Sequence, residues 1–208
     1  ELLRQPEPEA RDVALAIELF TEGSLNTFAK PTNVDTNSRI LCYDIRDLGK
    51  QLLPVGMLVV LDSVFNRIIR NRRLGRSTWV YIDEIYLLFQ HEYSANFLFT
   101  LWKRVRKYGA CCTGLTQNVD DLLQSHTART MLANSEFLVM LNQASTDRAE
   151  LARLLNISDN QLSYITNVDF GRGLIKCGSA IVPFMDHFPK NNLYRLMSTK
   201  PSEADAAV

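Results

Sequence analysis

Trp79-Val80-Tyr81-Ile82-Asp83-Glu84 is a run of β-prone, mostly apolar residues that delivers two adjacent carboxylates to its C-terminal end. An unbroken apolar run suits a strand of a parallel sheet, which is normally covered on both faces. Ligands of such sheets sit beyond the carboxyl ends of the strands, so Asp83 and Glu84 are expected to project into a ligand crevice. This is how a Walker B site is built. The first acid holds Mg²⁺ through its water shell, and the second polarises the water that attacks a γ-phosphate. Taken alone, the same six residues also describe a strand ending in a solvated acidic turn.

The flanking chain favours the first reading. Ser94 to Lys107 carries Phe97, Leu98, Leu101, Trp102 and Val105 at helical spacing, with Lys103, Arg104, Arg106 and Lys107 on the other face. Tyr108-Gly109 follows, and glycine accepts the left-handed conformation that closes a helix. Ala110 to Gln117 then reads as a second strand, small and apolar until a polar Thr116-Gln117 end. Two neighbouring strands thus end in Asp-Glu and Thr-Gln. The amide of Gln117 offers both a donor and an acceptor, which suits a sensor of the γ-phosphate or its water.

The same alternation extends in both directions. Upstream, Arg39 to Ile45 reads as a buried strand, and Leu53-Pro54 leads into a helix from Val55 to about Asn71 closed by Gly75. Downstream come short helices over 118–124 and 127–134, a strand from Glu136 to Leu141, and a helix from Arg148 to Leu155. Ser158 and Gln161 have capping-box spacing, and Gly173–Cys177 with Ser179–Phe184 reads as a hairpin around Gly178. Strand, helix, strand, helix, strand is the pattern of an α/β layer fold.

TWVYIDEIYLLF, LWKRVRKYGACCTGLTQNVDDLL and FGRGLIKCGSAIVPF resemble the C-terminal ATPase domain of the conjugation ATPases of type IV secretion systems. The likeness is to the fourth VirB component in its form from Gram-positive conjugative elements, and it runs from about Arg39 to about Lys200. It implies a RecA-like P-loop NTPase fold of the FtsK/HerA group: a mostly parallel sheet flanked by helices, with an antiparallel C-terminal hairpin. It implies an ATP hydrolase that uses ATP and Mg²⁺ to drive conjugative DNA transfer, with secretion-channel components and a coupling protein as partners. Assembly as a homo-hexamer or other homo-oligomer, contact with DNA, and a cytoplasmic position peripheral to the membrane are further expectations. In that frame Asp83 holds the metal's water shell, Glu84 is the general base or water-orienting carboxylate, and Gln117 senses the γ-phosphate. A cation reaching across the subunit boundary is also expected. Arg104, Arg106, Arg148 and Arg172 are the candidates, with Arg106 favoured for its place in the Arg-Lys-x-Gly element.

One departure matters. No G-x-x-x-x-G-K-[ST] occurs in the 208 residues, and Gly49-Lys50 lacks both the preceding loop glycine and the following hydroxyl. The expected reading is therefore a fragment that carries Walker B but not Walker A: residues 1–38 close a helical insertion subdomain and linker, 39–200 are the ATPase portion, and 201–208 are a flexible tail. The alternatives are a non-catalytic module docking to secretion-channel or coupling proteins, and a related DNA translocase or helicase.

Composition adds bounds. Lys plus Arg and Asp plus Glu both number 23, so the formal net charge is zero and there is no global electrostatic case for nucleic-acid binding. Arg67, Arg70, Arg72, Arg73 and Arg76 nevertheless cluster ahead of the Walker B strand, and a solvated helix end complementing its own dipole is preferred there over DNA contact. No uninterrupted apolar run is long enough to span a bilayer. Cys42, Cys111, Cys112 and Cys177 form no C-x-x-C pair, and the first three are expected in buried strands.

Overall fold

The computed structural model describes residues 1–117 and 119–198, so the expected tail at 201–208 lies outside the described residues. The chain forms two compact units, residues 1–64 and 65–208, and one long helix runs through both.

In the first unit, helix α1 (Pro8–Thr21) opens with proline at its first position, where the missing N–H would be unpaired in any case. The expected strand over 39–45 is absent: the chain there is irregular, Ile40 is 85% exposed and Cys42 is exposed. An apolar run becomes a strand only when a neighbour completes its ladder, and none lies beside it among the described residues.

Helix α2 (Gly49–Arg73) starts ahead of the expected Val55 and contains Pro54. So near the N-terminus the proline forfeits a single intrahelical bond, a tolerable loss when the following turns bury Met57, Leu61 and Ile68. Within Arg46–Arg73 an 18-residue stretch is long and apolar enough to cross a membrane by length and composition alone, contrary to the expectation from uninterrupted runs. However, Asp62 and Arg67 interrupt its apolar stretch, and each costs about 3 kcal/mol at a bilayer centre.

In the second unit, strand β1 (Thr78–Ile82) pairs in parallel with β2 (Ala110–Gly114), in register from Thr78 opposite Ala110 to Ile82 opposite Gly114. Between them run the 3₁₀ turn Ile85–Phe89, helix α3 (Glu92–Arg104) and a second 3₁₀ turn, Val105–Tyr108. The turn after α3 occupies the last residues of the expected single helix, and Gly109 closes it at φ +64°. Leu98, Leu101, Val105 and Ala110 are buried, and Phe65 meets Phe97 and Tyr108 edge to face. The opposite sheet face is open: Trp79 and Tyr81 are 65% and 67% exposed, with Cys111 and Thr113 exposed across from them. The described chain therefore covers one face of this parallel pair and not two, which corrects the expected burial of Cys111.

Helices α4 (Val119–Gln124) and α5 (His126–Ala133) lead to an antiparallel sheet in the order β3 (Phe137–Met140), β4 (Arg172–Cys177), β5 (Ala180–Met185). Between β3 and β4 lie α6 (Ser145–Leu155) and α7 (Asp159–Leu162), the latter opened by the Ser158–Gln161 capping box. Met140, Leu151, Leu155, Ile165 and Leu174 form one core with Leu123. Cys177 pairs with Ala180, so Gly178 and Ser179 are a two-residue turn, and Gly178 takes φ +56° there. A last helix, α8, spans Asn192–Met197. Parallel pair, flanking helices and antiparallel hairpin together make the expected mixed α/β architecture.

Candidate functional site

The parallel ladder continues past the formal strand ends. Leu115 N–H donates to the Ile82 carbonyl (2.8 Å), and Ile85 N–H donates back to the Leu115 carbonyl (2.9 Å). These two bonds pin the chain on either side of Asp83-Glu84, so the acidic pair is held on a closed corner.

The turn is left-handed. Glu84 takes φ +46°, ψ +49°, a region that non-glycine residues enter at a steric cost of about 1–2 kcal/mol. Asp83 Oδ1 accepts the Glu84 N–H at 3.0 Å, which stabilises the corner and leaves Oδ2 of this exposed side chain outside that bond. Tight closure also involves the neighbouring strand: a Cβ on Gly114 would lie 2.5 Å from Ile85 Cδ1, so a larger residue there would force the buried Ile85 side chain to shift.

Gln117 arrives at the same corner. Its backbone N–H reaches Glu84 Oε2 at 3.5 Å, at the long limit of a hydrogen bond, while its side chain is exposed. Asp83, Glu84 and Gln117 thus converge at the C-terminal end of β1 and β2. Arg106 does not join them. It is exposed on the 3₁₀ turn that precedes β2, and a five-residue strand separates the two ends by about 16 Å. Arg104 ends α3 at that same far end; Arg148 lies on α6, and Arg172 begins β4 in an ion pair with Asp169 at 3.4 Å.

Among the described residues no group of three or more His, Cys, Asp or Glu side chains could hold a metal unaided. That donor set fits Mg²⁺, which is usually bound through one or two carboxylates together with substrate phosphates and water, not by an all-protein cage.

The TraG P-loop domain family matches residues 30–172. The chain belongs to this family, and with it to the type IV secretion and conjugation ATPases. The solved structure of VirB4 of Thermoanaerobacter pseudethanolicus superposes with a TM-score of 0.74 at 26% identity, over 88% of this chain and 51% of that one. The TraG-family chain therefore spans about half the length of that VirB4 chain. No curated protein sequence matches it significantly. As a P-loop ATPase family, its members generally use ATP and Mg²⁺.

Reading the sequence missed two parts of this corner. The left-handed backbone at Glu84 has no local signal, because glutamate rarely adopts it. Gly114 carried a signal, an isolated glycine inside a strand, which marks a close approach by another group.

Proposed function

We propose that this TraG-family chain is the Walker B portion of a Mg²⁺-dependent ATPase that powers conjugative DNA transfer through a type IV secretion channel, with the phosphate-binding loop supplied by sequence outside these 208 residues. The observation that carries the reading is the convergence of Asp83, Glu84 and Gln117 on one pinned corner at the carboxyl end of a parallel strand pair.

Mg²⁺-ATP, when bound, supplies the electrophilic phosphorus and the charge that offsets its oxygens. Asp83 offers its free Oδ2 to the metal's water shell. Glu84 orients a water and accepts its proton, and its strained backbone serves to aim the carboxylate. Gln117 places a side-chain amide beside that water, where one end donates and the other accepts. Arg106, at the far pole of its own sheet, is assigned to a neighbouring subunit's site, where a cation stabilises the charge that develops during transfer. The protein then works as a homo-oligomer on the cytoplasmic side of the membrane, beside channel and coupling proteins. A second reading, a docking module without catalysis, is supported by the lack of G-x-x-x-x-G-K-[ST] in the chain itself.

The deciding experiment is Glu84→Gln in the longer protein that includes a phosphate loop. Removing the charge while keeping the shape should preserve ATP binding and reduce turnover by about a hundredfold or more. Turnover within a few-fold of the parent would remove Glu84 from the mechanism.

A further inference from the structure

The structure joins two basic runs that are 27 residues or more apart in sequence. Arg72, Arg73 and Arg76 surround the turn from α2 into β1, and Lys103, Arg104 and Lys107 surround the turn from α3 into β2. Because β1 and β2 are parallel and in register, both turns emerge at the same end of the sheet. Thr78 N–H donates to the Gly109 carbonyl (3.3 Å), which ties the turns together. Arg72 completes the link: it donates to the Lys107 carbonyl and lies over the Tyr108 ring, 5.3 Å from its centroid.

All six side chains are exposed and, among the described residues, none is in an ion pair. No Asp or Glu occurs in residues 63–82 or 93–119. Compensation of helix dipoles cannot account for so much charge. Two helix C-termini present about half a negative charge each, about one in total, against six formal positive charges. The remainder is a compact cationic pole on a chain whose net charge is zero.

We propose that this pole is a DNA-binding site that grips the phosphodiester backbone without reading sequence. Four of the six cations are arginines, whose planar fork matches phosphate oxygens two at a time. The only large apolar side chain at the tip of either turn is Leu74, 59% exposed. A single leucine gives an acyl layer little to hold, so charge matching to a nucleic-acid backbone is favoured over insertion at an anionic membrane. Arg106 neighbours this pole, but the site does not depend on it. The inference stands apart from ATP hydrolysis, since it needs neither nucleotide nor Glu84.

The test is fluorescence anisotropy of the 208-residue chain with short labelled duplex and single-stranded DNA of arbitrary sequence, without nucleotide, across a salt series. If about four of the six cations neutralise phosphates, duplex binding should follow a log–log salt slope of about −3 to −4. Arg73→Gln/Arg76→Gln/Lys107→Gln should weaken binding at low salt at least tenfold and flatten the slope by about 2 to 3 units. Circular dichroism should show the variant folded, and single Arg76→Gln should give a partial loss in the same direction. Lys176→Gln/Lys190→Gln, on and after the antiparallel sheet, should bind like the parent. Absence of low-salt binding, equal binding by the triple variant, or capture by phosphatidylglycerol vesicles without binding to DNA would each overturn the proposal. None of those results would bear on Glu84-dependent turnover.

Discussion

At the scale of single residues, the corner at Asp83-Glu84 shows how chemistry and backbone are coupled. Gln117 meets Glu84 through its main chain, so its side chain is free for another partner. We therefore expect Gln117→Ala, in the phosphate-loop-containing protein, to lower the hydrolysis rate by about ten- to a hundredfold while leaving ADP affinity within about twofold, because ADP offers no γ-phosphate. Isothermal titration with ADP beside a turnover assay checks it; a large loss of ADP affinity would make Gln117 structural. The adjacent cysteines give a second residue-scale prediction. Burial pushes the Cys112 thiol up to about 12, with Cys111 beside it adding to the shift, whereas Cys111 lies on the open sheet face. The thiolate is the reactive form, so near pH 8 a maleimide should modify Cys111 and spare Cys112. Mass spectrometry of the labelled protein reads this directly, and preferential labelling of Cys112 would contradict the burial. The identities of the acids and the amide were legible in the sequence because strand ends in parallel sheets advertise their polar residues. The αL turn was not, since it is imposed by the two ladder bonds on either side of it.

Secondary-structure elements were legible where local signals agreed with tertiary partners. The Ser158–Gln161 capping box and the Gly178 turn carry their own instructions, and both formed as read. Arg39 to Ile45 had a strand's composition but no pairing strand among the described residues, and Pro54 suggested a helix start although the helix begins at Gly49. At the end of the β1–β2 pair, Ile85 closely approaches the bare backbone of Gly114. Gly114→Val should thus push Ile85 from its buried seat and destabilise the chain by about 1–3 kcal/mol, the usual cost of overpacking. A urea melt should show a lower midpoint, and Gln117 should lose its place beside Glu84. An unchanged midpoint would mean that the corner can relax without cost. Ile85→Ala in the same background should restore part of the lost stability, since it removes the clashing methyls.

For the molecule as a whole, the carboxyl pole of the α/β unit, with its acids and amide, was legible in the sequence, whereas the gathering of cations from two distant runs at the opposite pole became visible only when the fold placed β1 and β2 side by side. The sequence did disclose that a P-loop family member here carries no G-x-x-x-x-G-K-[ST], and this motivates the last prediction. The 208 residues alone should show no measurable ATP hydrolysis. Phosphoryl transfer is catalysed almost entirely by positioning and charge stabilisation. A phosphate loop supplies a cradle of backbone N–H groups, a lysine to the β- and γ-phosphates and a hydroxyl ligand to Mg²⁺. Asp83 and Glu84 without that cradle present two negative charges to a triphosphate and repel it. A phosphate-release assay on the purified chain, beside a longer protein that includes the loop, separates the possibilities. Turnover should be confined to the longer protein and lost there on Glu84→Gln. Glu84-dependent release by the short chain would require a phosphate-binding loop within these residues, and the backbone N–H groups around Thr116 and Gln117 would be the first place to seek it.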